Sequence, residues 1–540
     1  VTQPVLRYRE IAELPRLAWL ASTPRDAGEV LVYHGSAVER TPEWMVEGVW
    51  DDEFRLGAFH RSPHFFGSGI RVEEGQVHFV PSSALVNRLL YCIHRDRILV
   101  SNSLALLLAF TGAKLDPAHD YRAETYAIRQ GAGRYPRAFL VTHPEIQTFY
   151  QLYDESLVLA GGERAFQSAR PRLQVSSFEQ YRALVTEALQ LLRANYMSPE
   201  RRFPMTAFAT ISSGYDSAAS AALVANLGIA TCFTSRRSNS HIPWWLSRRA
   251  GTDDGTPIAD LLRLRTAYLD PRHSRVTEDE LYYLAPGCAP TMTVLHSLTR
   301  DLERRGGAAV LFTGFQGDEV WDVNPWERAY HDAGVLRGDT TALMLTEIRL
   351  QCGFVNVAVP SLLARSVQEI AAIAASPQMA PWRLGNGYDR PIARRILESA
   401  GVPRALFGSR KKAVVERRSY PVNPALRAGF FAYLGTHYGC SAGFVYLHDA
   451  VNQFVYPFIR AWHLMRKALF GIEPPPTPRA YVWKRFDFAS VMFVWAAGTL
   501  SARLAAVLRE SGVTRHPPPR ARRRSDPQPA QEAPWRNPSP

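Results

Sequence analysis

Cysteine is scarce in this chain, with five in 540 residues, at positions 92, 232, 288, 352 and 440. The number is odd and no two form a Cys-x-x-Cys pair, which argues against a disulfide framework or a zinc ribbon and fits a reducing, cytoplasmic setting. No basic, apolar leader opens the chain, so no secretory signal is expected. Charge-free hydrophobic runs of spanning quality are also missing. Ala428 to His448 is uncharged but holds four glycines and two histidines, and Phe488 to Ala502 is too short for a bilayer. Both read as buried helix or loop, and no membrane partner is expected. Strong basicity is lacking too, once it is located. Of the net charge of +13, a large share sits in residues 514–540, where six arginines face only Asp526 and Glu532 among eight prolines. That segment reads as a disordered tail, and the remaining body carries no nucleic-acid signal.

What remains is a globular composition, 46% hydrophobic and 21% charged, in a chain long enough for about two to four domains. Residues 1–150 are strand-rich, with β-prone runs at Val30–His34, Gln76–Pro81, Leu89–His94 and Arg97–Ser101, then an apolar helix at Leu104–Phe110. Residues 151–175 read as a linker. From 176 the pattern alternates: helix Phe178–Asn195, strand 206–211, helix 217–227, strands Ala230–Thr234 and Thr266–Asp270, helix Glu278–Leu284, strand Ala309–Phe312. Strands alternating with helices predict an α/β domain on a parallel sheet, with ligands beyond the carboxyl ends of the strands.

One of those ends is Ile211-Ser212-Ser213-Gly214-Tyr215-Asp216-Ser217. A polar loop that opens a helix offers free N–H groups and the positive end of the helix dipole, a setting suited to phosphate. A second strand end carries Thr313-Gly314-Phe315-Gln316-Gly317-Asp318-Glu319-Val320, and a basic triplet, Arg410-Lys411-Lys412, follows. The hydroxyls of Ser212 and Ser217 and the loop N–H groups can cradle pyrophosphate. Asp216 and Asp318 are the carboxylates suited to magnesium. Lys412, with Arg410 or Lys411 close behind, is the cation for charge developing on a phosphate. Each feature also has an ordinary structural reading: a capped turn, a solvated acidic pair, an exposed basic face.

Together the loops resemble the asparagine synthetase family, whose pyrophosphate loop is usually Ser-Gly-Gly-x-Asp-Ser and whose second loop runs Ser-Gly-Glu-Gly-x-Asp-Glu. Met492-Phe493-Val494-Trp495 is similar to the family's late Phe-His-Trp helix, and Leu99 to Asp116 to the later part of its glutaminase domain. The resemblance implies a parallel-sheet ATP-pyrophosphatase (PP-loop) domain over 176–513, preceded by a degenerate Ntn-hydrolase-like α+β domain over 1–150. It implies ATP and Mg2+ as cofactors, held by Ser212, Ser213, Gly214, Asp216, Ser217 and Gly314, with the metal on Asp216 and Asp318. The implied activity is an ATP-dependent carbon–nitrogen ligase that adenylates a carboxylate, forms an amide with an amine or ammonia, and releases AMP and pyrophosphate. A homodimer is compatible.

The departures are specific. The family's glutamine-using members begin with a catalytic cysteine, whereas this sequence begins Val1-Thr2-Gln3-Pro4, and its first cysteine is Cys92. Ser213 stands for the second glycine and Phe315 for a glutamate. In Phe354-Val355-Asn356-Val357-Ala358-Val359-Pro360, Asn356 and Ala358 stand where the family has glutamate and arginine. The expectation is a ligase without glutaminase activity of its own and with an acceptor other than aspartate. Four alternatives stay open: a non-catalytic nucleotide-binding scaffold, a lasso-type macrolactam synthetase, a glutamine-hydrolysing synthase, and an RNA-modifying enzyme.

Overall fold

The computed structural model describes residues 3–131, 135–167, 170, 173–236, 253–269, 277–288, 292, 295–323, 342–385, 388–408, 419–470 and 488–513, without some side chains between 452 and 468. The fold is mixed α/β, with one fully parallel sheet and two other sheets.

Two sheets build the first third of the chain. One runs, edge to edge, Val5–Glu10, Glu29–His34, Trp19–Pro24, Arg97–Ser101, Leu89–His94, Thr148–Leu152, Ala138–Leu140. Its pairings are antiparallel except for Val5–Glu10 beside Glu29–His34. The second runs Glu163–Gln167, Ser156–Ala160, Gln76–Val80, Phe65–Glu73, Trp44–Trp50, Glu39–Arg40. Side chains alternate across a strand, and here both faces find apolar cover. Ala21, Leu89, Tyr91, Ile98 and Val100 of the first sheet pack against Met45, Ile70, Phe79 and Leu157 of the second. Their neighbours Leu20, Leu90, Cys92 and Leu99 point the other way, into helices Leu104–Thr111 and Phe488–Glu510. Ser103 starts the first of these helices by accepting the Leu106 N–H at 3.1 Å.

The segment 151–175 is not a plain linker. Ser156–Ala160 and Glu163–Gln167 form a hairpin that adds two strands to the second sheet. Its turn is Gly161-Gly162, with φ of 57° and 91°, the doubly left-handed conformation that a two-residue hairpin needs and glycine adopts freely. The second sheet therefore extends at least to Gln167.

The parallel sheet holds five strands in the order Thr266–Tyr268, Thr231–Thr234, Met205–Thr210, Ala308–Thr313, Phe354–Ala358. Ala207-Phe208-Ala209 and Val310-Leu311-Phe312 are wholly buried, as continuous apolar runs in a sheet covered on both faces should be. Helix Phe178–Tyr196 lies against it, begun by Ser177, which accepts the Gln180 N–H at 3.2 Å. The strand order reverses at the middle: from Met205–Thr210 the chain moves outward one way, and then returns to lay Ala308–Thr313 on the other side. The crevice between those two carboxyl ends is the topological switch point.

A continuous core joins the halves, since Val49 and Phe66 pack in the same cluster as Phe312 and Val357. Polar groups cross the junction as well. Arg349, on helix Thr346–Cys352, donates to both carboxylate oxygens of Glu47 at 2.7 and 3.0 Å, with both side chains essentially out of solvent. Glu347, on the same helix, accepts from Ser103 Oγ at 2.8 Å. Among the described residues one helix, Phe488–Glu510, is long and apolar enough to cross a membrane, and 67% of its most apolar stretch is buried inside the protein.

Candidate functional site at the sheet switch point

The loop after Met205–Thr210 folds back on itself. Ser212 Oγ lies 2.8 Å from Ser217 Oγ and accepts the Gly214 N–H at 3.1 Å, so the two hydroxyls expected to serve one anion stand side by side. Helix Tyr215–Val224 starts at once behind them, with Asp216 in its first turn. Ser213 faces a different neighbour: its Oγ donates to Asp253 Oδ1 at 3.3 Å, and its carbonyl accepts the Gly408 N–H at 2.7 Å.

The second loop reaches the first by direct backbone contact. A Cβ on Gly314 would stand 2.5 Å from the Asp216 carbonyl carbon and the Ser217 nitrogen, and one on Gly317 would stand 2.6 Å from Asp216 Cγ. No side chain fits at such distances, so both glycines are required by the approach of the loops. Gln316, between them, takes a left-handed φ of 67° and precedes the short helix Gly317–Val320 that carries Asp318.

Sequence reasoning missed the cation that the structure brings to this place. Arg390, buried at the start of helix Pro391–Ser399, forms an ion pair with Asp216 and lies 3.9 Å from Asp322 Oδ2. Burial weakens the charge on Arg390, but Asp216, Tyr388 and Asp318 outweigh it and hold the guanidinium above its ordinary pKa. Tyr388 is pushed up by burial first and then by Asp216, with Asp318 adding to the shift, so the phenol stays protonated. Asp216 and Asp318 thus share one electrostatic neighbourhood with Arg390 and Tyr388. Arg394, a turn further along, donates to the hydroxyl of Tyr215, whose ring packs against Tyr388 at 5.2 Å and Phe407 at 5.9 Å. The one local signal was the Pro391 helix start, which marks a boundary and says nothing of the charge partner across 174 residues.

Arg410, Lys411 and Lys412 lie outside the described residues, as do Val1, Thr2 and the segment 514–540. Asn356 is fully buried on the outer strand Phe354–Ala358. Its Oδ1 accepts from Thr313 Oγ1 at 2.9 Å, and its Nδ2 has no partner among the described residues.

No three His, Cys, Asp or Glu side chains among the described residues are grouped to hold a metal. Magnesium asks less, since one or two carboxylates plus phosphate oxygens suffice, and Asp216 and Asp318 fit that requirement. A polar cavity of about 190 Å³ lies apart from this site, on the second sheet, with His60, Glu73, His78 and Ser156 in its wall. Compared with known proteins, the chain matches no family model and no curated sequence.

Proposed function

We propose that the protein is an ATP-dependent carbon–nitrogen ligase of the asparagine synthetase-like, PP-loop kind, in which the Ntn-like first unit is a scaffold. The observation that carries this reading is the meeting of two strand-end loops at the switch point, with paired serine hydroxyls, two carboxylates and a buried arginine within one site.

In this reading ATP, when bound with magnesium, would supply the activated phosphate. Ser212, Ser217 and the N–H groups opening helix Tyr215–Val224 orient the departing pyrophosphate. Asp216 and Asp318 would hold the metal, and Arg390, beside both carboxylates, would steady the charge that develops on the phosphate. Lys412 and Arg410 keep the role expected of them from the sequence, as cations for charge developing on the phosphate. Asn356 stands where the resemblance places a substrate-handling carboxylate, so that position offers no anion to a free amino-acid ammonium group. The substrate's own amine is the nitrogen source this arrangement favours. The ion pair between Arg390 and Asp216 also favours one competing reading, a nucleotide-binding scaffold in which the pair permanently fills the metal position.

Product analysis separates the two. Purified protein given ATP, magnesium and a panel of amine-bearing carboxylates is expected to form AMP and pyrophosphate in equal amounts, and Asp318→Asn is expected to abolish both. ATP binding with no turnover on any carboxylate, equal in wild type and variant, supports the scaffold. Glutamine added alone is expected to release no glutamate.

A further inference from the structure

Among the described residues the longest helix is Ala442–Phe470, and its described buried contacts lie near its start. Val445 and His448 are buried near its start, where the His448 ring meets Phe488 edge-on at 4.8 Å and Ser419 donates to Asp449 at 2.7 Å. Several of its described large apolar side chains face outward. Leu447, Phe454, Phe458, Trp462, Met465 and Leu469 are between 43% and 71% exposed. At about 100° per residue their spacing keeps them within an arc of about 80°, so they form one stripe along the helix. Large side chains of roughly 200 Å² each give that stripe on the order of 700 Å² of open apolar surface, above the largest patch on a typical monomer.

The charge of the chain selects the occupant. Helix Ala442–Phe470 contains three basic residues, Arg460, Arg466 and Lys467, against Asp449 alone, within a chain of net charge +13. Two such copies repel, whereas an anionic surface attracts. The basic residues inside the helix, and the stripe formed by six of its exposed apolar side chains, with Tyr446 and Phe470 exposed outside it, describe a helix that lies on a bilayer rather than one that crosses it. Phe and Trp are also side chains suited to the headgroup boundary.

We propose that helix Ala442–Phe470 docks the protein on an anionic lipid surface through the stripe from Leu447 to Leu469. This is independent of the proposed ligase activity. The test is co-sedimentation of the full chain with phosphatidylcholine vesicles made with and without phosphatidylglycerol. Binding to the anionic vesicles is expected to be at least about tenfold stronger and to weaken with salt. The combined change Phe454→Ser, Phe458→Ser, Trp462→Ser is expected to lower it at least about tenfold, with an unchanged melting temperature showing that the fold is intact. Phe458→Glu, a single change at an exposed position, is expected to act in the same direction. Absence of vesicle binding by the wild type overturns the proposal, as does equal binding by these variants. A concentration-dependent dimer that the same changes dissolve, without vesicle binding, overturns it in favour of a second copy.

Discussion

Two ion pairs of the same chemistry, Glu47 with Arg349 and Asp216 with Arg390, lie in different surroundings. At the junction of the halves both partners are sealed off, and Glu47 is held further by Ser68 Oγ at 2.6 Å and Asn102 Nδ2 at 3.2 Å. At the switch point Arg390 is buried, but Asp216 keeps 24% of its surface, and two further carboxylates and a phenol crowd the guanidinium. The first arginine has one acceptor and every reason to stay. The second has several acceptors within reach, which is the arrangement of a charge that changes partners. If the proposed role of Arg390 holds, burial alone does not tell a structural pair from a working one, and the number of competing partners does.

This contrast can be broken by experiment, beginning where the effect is largest. Arg349→Ala strands a buried carboxylate, and a loss of about 3–5 kcal/mol of stability is expected in denaturant unfolding. Arg390→Ala leaves Asp216 with part of its solvent access, so the loss of stability should be smaller than for Arg349→Ala, while magnesium-dependent pyrophosphate release falls roughly a hundredfold, as for the loss of one transition-state contact. Equal destabilisation by the two variants would erase the distinction drawn here. Gly314→Ala sharpens it from the side of the loops. Forcing a Cβ to 2.5 Å from the Asp216 backbone should cost about 1–3 kcal/mol and reduce turnover, with both visible in the same preparation.

The smallest effect concerns pH. Burial lowers His60 to about 4, although Glu73, 3.0 Å away, pulls upward. Above the ordinary histidine value, near 6.5, this group leaves stability untouched. As the pH falls below it, the unfolded chain takes up a proton that the native state refuses until about pH 4, so stability declines across that window. The expected decline is roughly 1 kcal/mol by about pH 5.5. His60→Gln should flatten that part of the stability curve, and a curve of unchanged slope would remove His60 as the cause.

Much of this architecture is legible in the residues themselves. The strands Leu89–His94 and Arg97–Ser101 coincide with their β-prone runs, and helix Phe178–Tyr196 with its amphipathic period. Such elements are fixed by local pattern and by turn chemistry. The pairing of Ser212 with Ser217 was legible for the same reason, since both belong to one loop. Arg390 was not, because it meets Asp216 only after the sheet is assembled. The hairpin Ser156–Gln167 was passed over as linker although Gly161-Gly162 is a strong turn signal; its outer strand, Glu163–Gln167, is mostly exposed and has no apolar alternation to announce it. The outward stripe on helix Ala442–Phe470 has a helical period that reads equally well as core, and periodicity cannot say which face meets protein.

The core that takes Val49 and Phe66 from one half and Phe312 and Val357 from the other bears on how such a chain can change over generations. A gene exchange that swapped in an unrelated first unit at about residue 170 would uncover half of a shared interior. The two units therefore depend on each other for a closed interior, whatever chemistry either performs.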